Sequence, residues 1–377
     1  MRPTVKLWEI CDILDKKRKP ITQKDRTKWI YPYYWASWIL DYVADYIFDE
    51  DLVLIWEDWA KWGALDNSAF KVSWKVWVNN HAHVIRPHRE KILDDYLVYY
   101  LVSSDLSDYI TWTTVPKLNQ ERLKLIEIPL PPLETQKAIV AKLDQIFAEL
   151  DQTKSEIQKN LDNTDELWKS AYDRILSIKW DEKSLEDLCE IVDYRWKTPK
   201  KTDKWILLVT AKNIRKWYID YEKSKEYISE DDYDEVMHRW LPKIWDILFT
   251  TEAPCWNVAI IDNENIALAQ RVVKYRPKNK EYLNNKYLLY VLLWNEFQKK
   301  LEMHSTWWTV KWIKWKILHK LTIPVPPLSE QEKIVEHLDQ VSKEVKELKS
   351  KYQFQLDNLE ELKKSVLDKA FKWELVE

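Results

Sequence analysis

Two stretches of the chain carry apolar residues that step by three and four. The first runs through Ile146, Leu150, Thr153, Ile157, Leu161, Thr164, Leu167 and Ala171. The second runs through Val341, Val345, Leu348, Tyr352, Leu356, Leu359, Leu362, Val366 and Ala370. That spacing collects the apolar side chains on one face of a helix. Neither stretch contains proline, and acids and bases share the other positions. Both are therefore predicted to be long helices with a coiled-coil seam. A Pro-Pro pair precedes each one, followed by Glu134 in the first copy and by Ser329 with Glu332 in the second, the latter a capping-box spacing. Roughly 40 residues at about 1.5 Å each make a rod of about 60 Å, the length of a spacer. A single such stripe would suggest oligomerisation. Two in one chain can pair with each other, antiparallel, and close the chain into a pseudo-twofold object. The predicted pairing residues are Ile146, Leu150, Ile157, Leu161 and Leu167 against Val341, Val345, Leu348, Tyr352, Leu359, Leu362 and Val366.

The remaining segments show a different period. Short apolar runs rich in β-branched residues predict strands at 51–55, 75–78 and 82–85, and again at 206–209, 247–250 and 258–261. Helical runs are predicted at 91–102 and 284–301, one closing each set. The chain thus reads as two mixed α/β domains of the α+β kind, residues 1–133 and 179–328. They alternate with long helices at 134–178 and 329–377.

An internal repeat supports the division. Ile-Pro-Leu-Pro-Pro-Leu at 128–133 leads into Gln136, Ile139-Val140 and Leu143-Asp144-Gln145. The same order returns 195 residues later from Ile323, with 11 of 18 positions identical. Leu7-Trp-Glu-Ile-Cys-Asp-Ile-Leu-Asp15 resembles Leu185-Glu-Asp-Leu-Cys-Glu-Ile-Val-Asp193. The chain is built twice.

Composition adds one anomaly. There is a single glycine, Gly63, and there are 24 tryptophans in 377 residues, whereas glycine ordinarily makes up about 7% of a protein. Many tryptophans stand where a turn wants no Cβ: Trp35 and Trp38, Trp56 and Trp59, Trp256, Trp307 and Trp308, Trp312 and Trp315. The expectation is that the source reads UGA as glycine and that many of the tryptophans stand for glycine; UGG codons would contradict it. Trp62, Trp77 and Trp168 sit in apolar or strand-like surroundings and are the expected true tryptophans. Cys11, Cys189 and Cys255 lack any metal-ligand spacing and suit reduced, buried thiols in a cytoplasmic protein. The longest apolar run, 288–294, is too short to cross a bilayer, so no membrane association is expected.

Net charge is −3 and by itself points nowhere, but the predicted helices carry −2 (134–179) and −3 (329–377). The bases gather instead in two matched loops, each following the opening repeat of its half. Residues 16–28 carry +6, including Lys16, Lys17, Arg18 and Lys19. Residues 194–217 carry +7, including Arg195, Lys197, Lys200, Lys201, Lys212 and Arg215. Two equivalent basic loops fit phosphate contacts at two places on a DNA duplex. Base edges are read by forked or two-headed side chains. Near the loops these are Tyr33, Tyr34, Lys61, Lys71, Asn79, Asn80 and His81 in the first half, with Asn213, Thr251, Gln270 and Arg271 in the second. His81 and His83 alternate as strand neighbours would, but no third ligand accompanies them. They are read as exposed strand histidines, not a metal site. No Walker-type phosphate loop, no Asn-Pro-Pro-aromatic motif and no Pro-Asp…Glu-x-Lys nuclease pattern occurs. Glu-x-Lys triplets such as Glu344-Val-Lys346 lie on a predicted long helix.

The signature Ile-Pro-x-Pro-Pro-Leu-x-x-Gln-x-x-Ile-Val-x-x-Leu-Asp, present at Ile128 and Ile323, resembles the start of the conserved helices of type I restriction-modification specificity subunits. The stretches 31–64 and 76–83 resemble their target-recognition domains, in which glycine is usual at positions 35, 38, 56 and 59. The resemblance covers essentially the whole chain. It implies a non-catalytic subunit in which each domain reads one part of a bipartite, asymmetric double-stranded DNA target. The helices would set the spacer and dock two adenine methyltransferase subunits, with restriction subunits joining them. S-adenosylmethionine, ATP and Mg would belong to those partners, and this chain would hold no cofactor. A stand-alone DNA-binding or regulatory protein on a coiled-coil scaffold is the alternative, and a methyltransferase partner separates the two.

Overall fold

The computed structural model describes residues 3–36, 38–58, 62–112, 115–193, 200–238, 241–251, 254–269, 271–305, 313–372 and 374–375. It divides into two compact units. One comprises Met1–Asn160 with Lys351–Glu377, the other Leu161–Ser350. Each unit therefore takes part of both long helices, which run Leu133–Leu176 and Leu328–Phe371.

In the first unit a four-stranded antiparallel sheet has the order Cys11–Ile13, Ala82–Pro87, Leu52–Trp56, Ala69–Val72. A second sheet orders Ile39–Val43, Tyr31–Tyr34, Lys75–Val78 and Phe48–Asp49, with the middle pair parallel. The second unit repeats the plan. Its first sheet is Cys189–Asp193, Val272–Pro277, Ile247–Thr250, Val258–Ile260. Its second orders Tyr227–Ile228, Ile206–Val209 and Ile266–Leu268, again with a parallel pair. The strand Leu52–Trp56 is apolar almost throughout because it lies between two other strands, with Val53 and Ile55 in one core and Leu54 in another. The run predicted at 284–301 is two helices, Asn285–Leu293 and Asn295–Met303, broken where Trp294 turns extended.

The duplicated signature fastens each long helix to its own unit. Gln136 is fully buried. Its amide accepts from the Leu93 N–H (2.9 Å) and donates to the carbonyls of Lys91 and Pro131 (both 2.8 Å). Gln331, equally buried, accepts from Asn284 N–H (2.9 Å) and donates to Tyr282 (2.9 Å) and Pro326 (2.8 Å). The hydroxyls of Tyr96 and Tyr287 donate to Pro129 and Pro324, and those of Tyr99 and Tyr290 donate to Asp144 and Asp339. Leu143 and Leu338 are fully buried beside them, each contributing roughly 1.5–3 kcal/mol of burial. The repeated residues are thus the ones that dock helix to domain.

Within each unit the long helices run antiparallel. In the first, Lys363 lies over the Phe147 ring (5.0 Å) and Lys154 pairs with Glu360 (2.6 Å). In the second, Lys349 pairs with Asp165 (2.6 Å), while Tyr172 and Leu176 share a core with Ile334 and Leu338. Val345 and Val366 are buried, and Ile146, Leu150, Ile157, Leu161, Val341, Leu348, Tyr352 and Leu359 are half-buried. Leu167 and Leu362 depart from expectation, being 53% and 47% exposed. A straight 3.6-residue helix drifts off a strict heptad, so Thr164 (buried) and Trp168 take the inward face in place of Leu167, and Lys363 and Leu367 in place of Leu362.

Left-handed backbone at non-glycine residues bears on the composition anomaly. Among the described residues it occurs at Leu65, Trp74 (φ 67°), Trp205 (105°), Trp217 (85°), Trp245 (76°), Trp256 (62°) and Arg271 (70°). Five of the seven are tryptophan, where a Cβ is strained and glycine is not. The indole N–H groups of Trp56, Trp180 and Trp294 are buried without an acceptor, but so is that of Trp62, one of the expected true tryptophans. By contrast Trp77, one of the expected true tryptophans, donates its indole N–H to the Lys19 carbonyl (2.6 Å).

Candidate nucleic-acid interface

In the first unit the basic loop leaves the strand Cys11–Ile13 and is pinned at both ends. At its start Asp15, buried, accepts from the Val84 N–H (2.9 Å) and Gln120 Nε2 (3.2 Å), and lies 2.6 Å from His83 Nδ1. The other ring nitrogen of His83, Nε2, faces the Leu118 carbonyl (2.7 Å). Arg18 pairs with Asp15 and with Glu57 and donates to the Ala82 carbonyl (2.7 Å). Glu57 also takes Lys117 (2.7 Å). Burial alone would raise the Asp15 carboxyl, but the His83 hydrogen bond and charge, Arg18 and the Val84 N–H outweigh it and hold Asp15 below the usual carboxylate range. Burial likewise pushes Glu57 up, and Lys117, His83 and Arg18 bring it below that range. Further along, Tyr33 Oη accepts from the Ile21 N–H (3.1 Å), and Arg26 sits 4.8 Å from that ring's centre.

The loop therefore divides its bases. Arg18 and Arg26 are spent internally, whereas Lys16, Lys17, Lys19, Lys24 and Lys28 are exposed. That is five ammonium groups on a fixed scaffold, the arrangement phosphate neutralisation requires. In the second unit Lys200, Lys201 and Lys212 are exposed. Lys201 lies 2.7 Å and Lys212 4.0 Å from Glu226, and Arg215 lies 3.6 Å from Asp220. Exposed pairs of this kind are worth about 0–1 kcal/mol and yield readily to a phosphate.

Several candidates for base reading prove to be internal. Tyr33 and Asn213 are fully buried, and Asn79 and Thr251 are 6% and 4% exposed. Asn213 spends its side chain on a turn, accepting from Thr210 N–H (3.0 Å) and Thr210 Oγ1 (2.9 Å) and donating to Asp220 (3.0 Å) and Ser224 (2.9 Å). A group enclosed this way cannot reach a base edge without unfolding the turn. Thr251 Oγ1 donates to the Arg271 carbonyl (3.4 Å), and Asn79 Oδ1 accepts from Asn80 N–H (2.5 Å). Tyr34 is half-buried, and Lys71 is paired with Asp95 (2.8 Å). His83 is not an exposed strand histidine but fully buried. Asn80 and Arg271 remain exposed, and His81 half-exposed with Nδ1 2.8 Å from Asp58. Lys61, Arg195, Lys197 and Gln270 lie outside the described residues. Among the described residues no group of three or more His, Cys, Asp or Glu could hold a metal, and no helix is long and apolar enough to cross a membrane. The carboxylates Asp15, Glu57 and Asp58, which support the loop and the turn that precedes Ala82, escaped sequence reasoning. Their one signal is that they flank the basic run and the expected turn at 56–59.

Two copies of one α/β plan, each with a lysine-bearing loop beside the tip where the chain passes from one sheet to the other, before Ala82 and before Val272, define a duplicated DNA-specificity module. The chain belongs to the family described as type I restriction modification DNA specificity domain, which matches residues 3–163 and again 177–356. A Haemophilus influenzae protein named as a type I restriction enzyme specificity subunit is 28% identical over 349 residues, covering 88% of this chain and 86% of its own. The MjaVIII specificity subunit of Methanocaldococcus jannaschii is 22% identical, covering 96% of this chain and 91% of its own. Among solved structures, a chain from work described as the structural basis of complex assembly and conformational transition of the type I R-M system superposes with TM-score 0.72. It is 20% identical and covers 98% of both chains. The HsdS subunit of Thermoanaerobacter tengcongensis gives 0.59 at 20% identity, covering 99% of this chain and 97% of its own. The last two speak for the fold.

Proposed function

We propose that this chain is the non-catalytic DNA-specificity subunit of a type I restriction-modification complex. Each unit reads one part of a bipartite, asymmetric double-stranded target, and the two long helices set the unread spacer. Two adenine methyltransferase subunits dock on those helices and restriction subunits join them. S-adenosylmethionine, ATP and Mg are the partners' cofactors, and the complex works in the cytoplasm. The observation that carries this reading is the family's domain occurring twice, each copy with exposed lysines in its own basic loop. Because the two copies differ in sequence, the two half-sites differ.

Sequencing that detects methyladenine in the source genome tests it, with a split, asymmetric motif as the expected result. A second test addresses the ruler. Deleting one turn from each long helix removes about 5.4 Å, roughly one to two base pairs of DNA. The spacer should shorten while the half-site bases stay. An unchanged spacer refutes the ruler.

A further inference from the structure

The two units share a feature that neither their loops nor their helices explain. In the first, the Asn79 N–H donates to the Tyr34 carbonyl (2.9 Å), and the Glu57 N–H donates to the His81 carbonyl (3.1 Å). In the second, the Ala269 N–H donates to the Val209 carbonyl (2.9 Å), and the Thr251 N–H donates to the Arg271 carbonyl (3.2 Å). In both cases the first acceptor ends the strand of the parallel pair that comes earlier in sequence. The second acceptor immediately precedes the long strand, Ala82–Pro87 or Val272–Pro277, of the other sheet. The same two hydrogen bonds at the same places in the topology make His81 and Arg271 equivalent. They occupy one turn position, filled differently in each unit.

Chemistry and placement both mark that position. His81 and Arg271 are side chains suited to guanine or adenine edges, Arg forming bidentate bonds to guanine O6 and N7. Arg271 is exposed and held at φ 70°, where a non-glycine residue is strained by about 1–3 kcal/mol and where such strain clusters at functional positions. His81 is half-exposed, its ring centre 4.7 Å from that of Trp35, and it is oriented by Asp58, whose two oxygens lie 2.8 and 3.0 Å from Nδ1, so a base contact would fall to Nε2. The basic loop clasps this tip: Arg18 donates to the carbonyls on either side of His81, Asn80 (3.4 Å) and Ala82 (2.7 Å). Lys19 N–H meets Val78 (3.4 Å). A duplex neutralised by Lys16, Lys17 and Lys19 would therefore meet the tip. In the second unit the turn bearing Lys212 follows Val209, the residue bonded to Ala269.

We infer that His81 and Arg271 are equivalent specificity-determining residues, each reading a base in a different half-site, with Asp58 a positioning residue for His81. The inference rests on the DNA-specificity reading above. The full chain with its methyltransferase subunits is used to select from a randomised duplex library, as wild type and as His81→Asn and Arg271→Asn. Asparagine keeps a donor for Asp58 and tolerates left-handed backbone, so both variants keep the fold. Each variant is expected to lose a roughly ten- to hundredfold preference at one base pair in one half-site only, without change in the other half. Asp58→Asn should affect the same position as His81→Asn while Arg271's half is untouched. A wild type that selects a split motif, with variants that select the same bases or alter both halves, overturns the assignment alone. A wild type that selects no motif overturns the specificity reading and the assignment with it.

Discussion

Replacing left-handed tryptophans by glycine should stabilise this chain, against the ordinary expectation for losing a large aromatic. Trp74, Trp205 and Trp245 have φ of 67°, 105° and 76° and are 53%, 58% and 52% exposed, so truncation forfeits little packing. Left-handed backbone costs an L-residue about 1–2 kcal/mol. The added freedom of glycine in the unfolded chain returns about 0.5–1 kcal/mol of that. The net gain is about 0.5–1 kcal/mol per site, roughly 1.5–3 kcal/mol for all three if they act independently. Urea denaturation of the printed sequence and the triple glycine variant measures it. Trp256 gives the sharper contrast: its φ is 62° and it is 5% exposed. If tryptophan is native there, Trp256→Gly costs about 3–5 kcal/mol, as large truncations do; if glycine is native, the variant is the more stable protein. Trp62→Ala, at an expected true tryptophan in the first unit's core, should cost that amount in either case. Codons and peptide masses from the source decide independently. UGG codons, tryptophan at 205 and 245 in the natural protein, and a destabilised triple variant would each refute the reasoning.

Asp15 and Glu57 are both held below the usual carboxylate range. Their contribution to stability is therefore complete only above their unfolded values, at about pH 5 and higher, and is lost as pH falls through their lowered values. Urea midpoints at stepped acid pH should show this loss in the wild type, and a flatter acid limb in Asp15→Asn. That variant should also lose about 1–3 kcal/mol at neutral pH, because an amide cannot match every buried hydrogen bond that the Asp15 carboxylate makes with Val84, Gln120 and His83. Gln136→Ala and Gln331→Ala each leave a buried N–H and two carbonyls unmatched, and each should cost at least about 1–3 kcal/mol by the same assay. Lys16, Lys17 and Lys19 changed together to Ala should weaken duplex binding for every sequence. Their loss should flatten the dependence of log affinity on log salt by up to about 3, near 0.9 per phosphate contact. A change confined to one base position would contradict their role.

The long helices were legible because helical periodicity is local: the spacing of Ile146, Leu150 and Ile157, or Val341, Val345 and Leu348, needs no partner to be read. The duplication was legible because the residues that dock helix to domain, Gln136 and Gln331, Leu143 and Leu338, must repeat if the docking repeats. Net charge could be placed on two loops, since each run is contiguous. What each charge does could not be placed. Arg18 and Lys19 are neighbours in the chain, yet one guanidinium is absorbed by Asp15, Glu57 and the Ala82 carbonyl while the next ammonium is exposed. Tyr33 and Asn213 have the chemistry of base readers and the burial of turn supports. Leu167 and Leu362 fit a heptad but not the face that a straight helix turns inward. Composition and periodicity determined the two-domain, two-helix plan, because those signals lie within a few residues of one another. Burial, and with it the difference between a side chain that holds the tip and one that can meet DNA, was decided by contacts such as Arg18 to Ala82 and His83 to Asp15, 64 and 68 residues apart, which exist only once the sheets have formed.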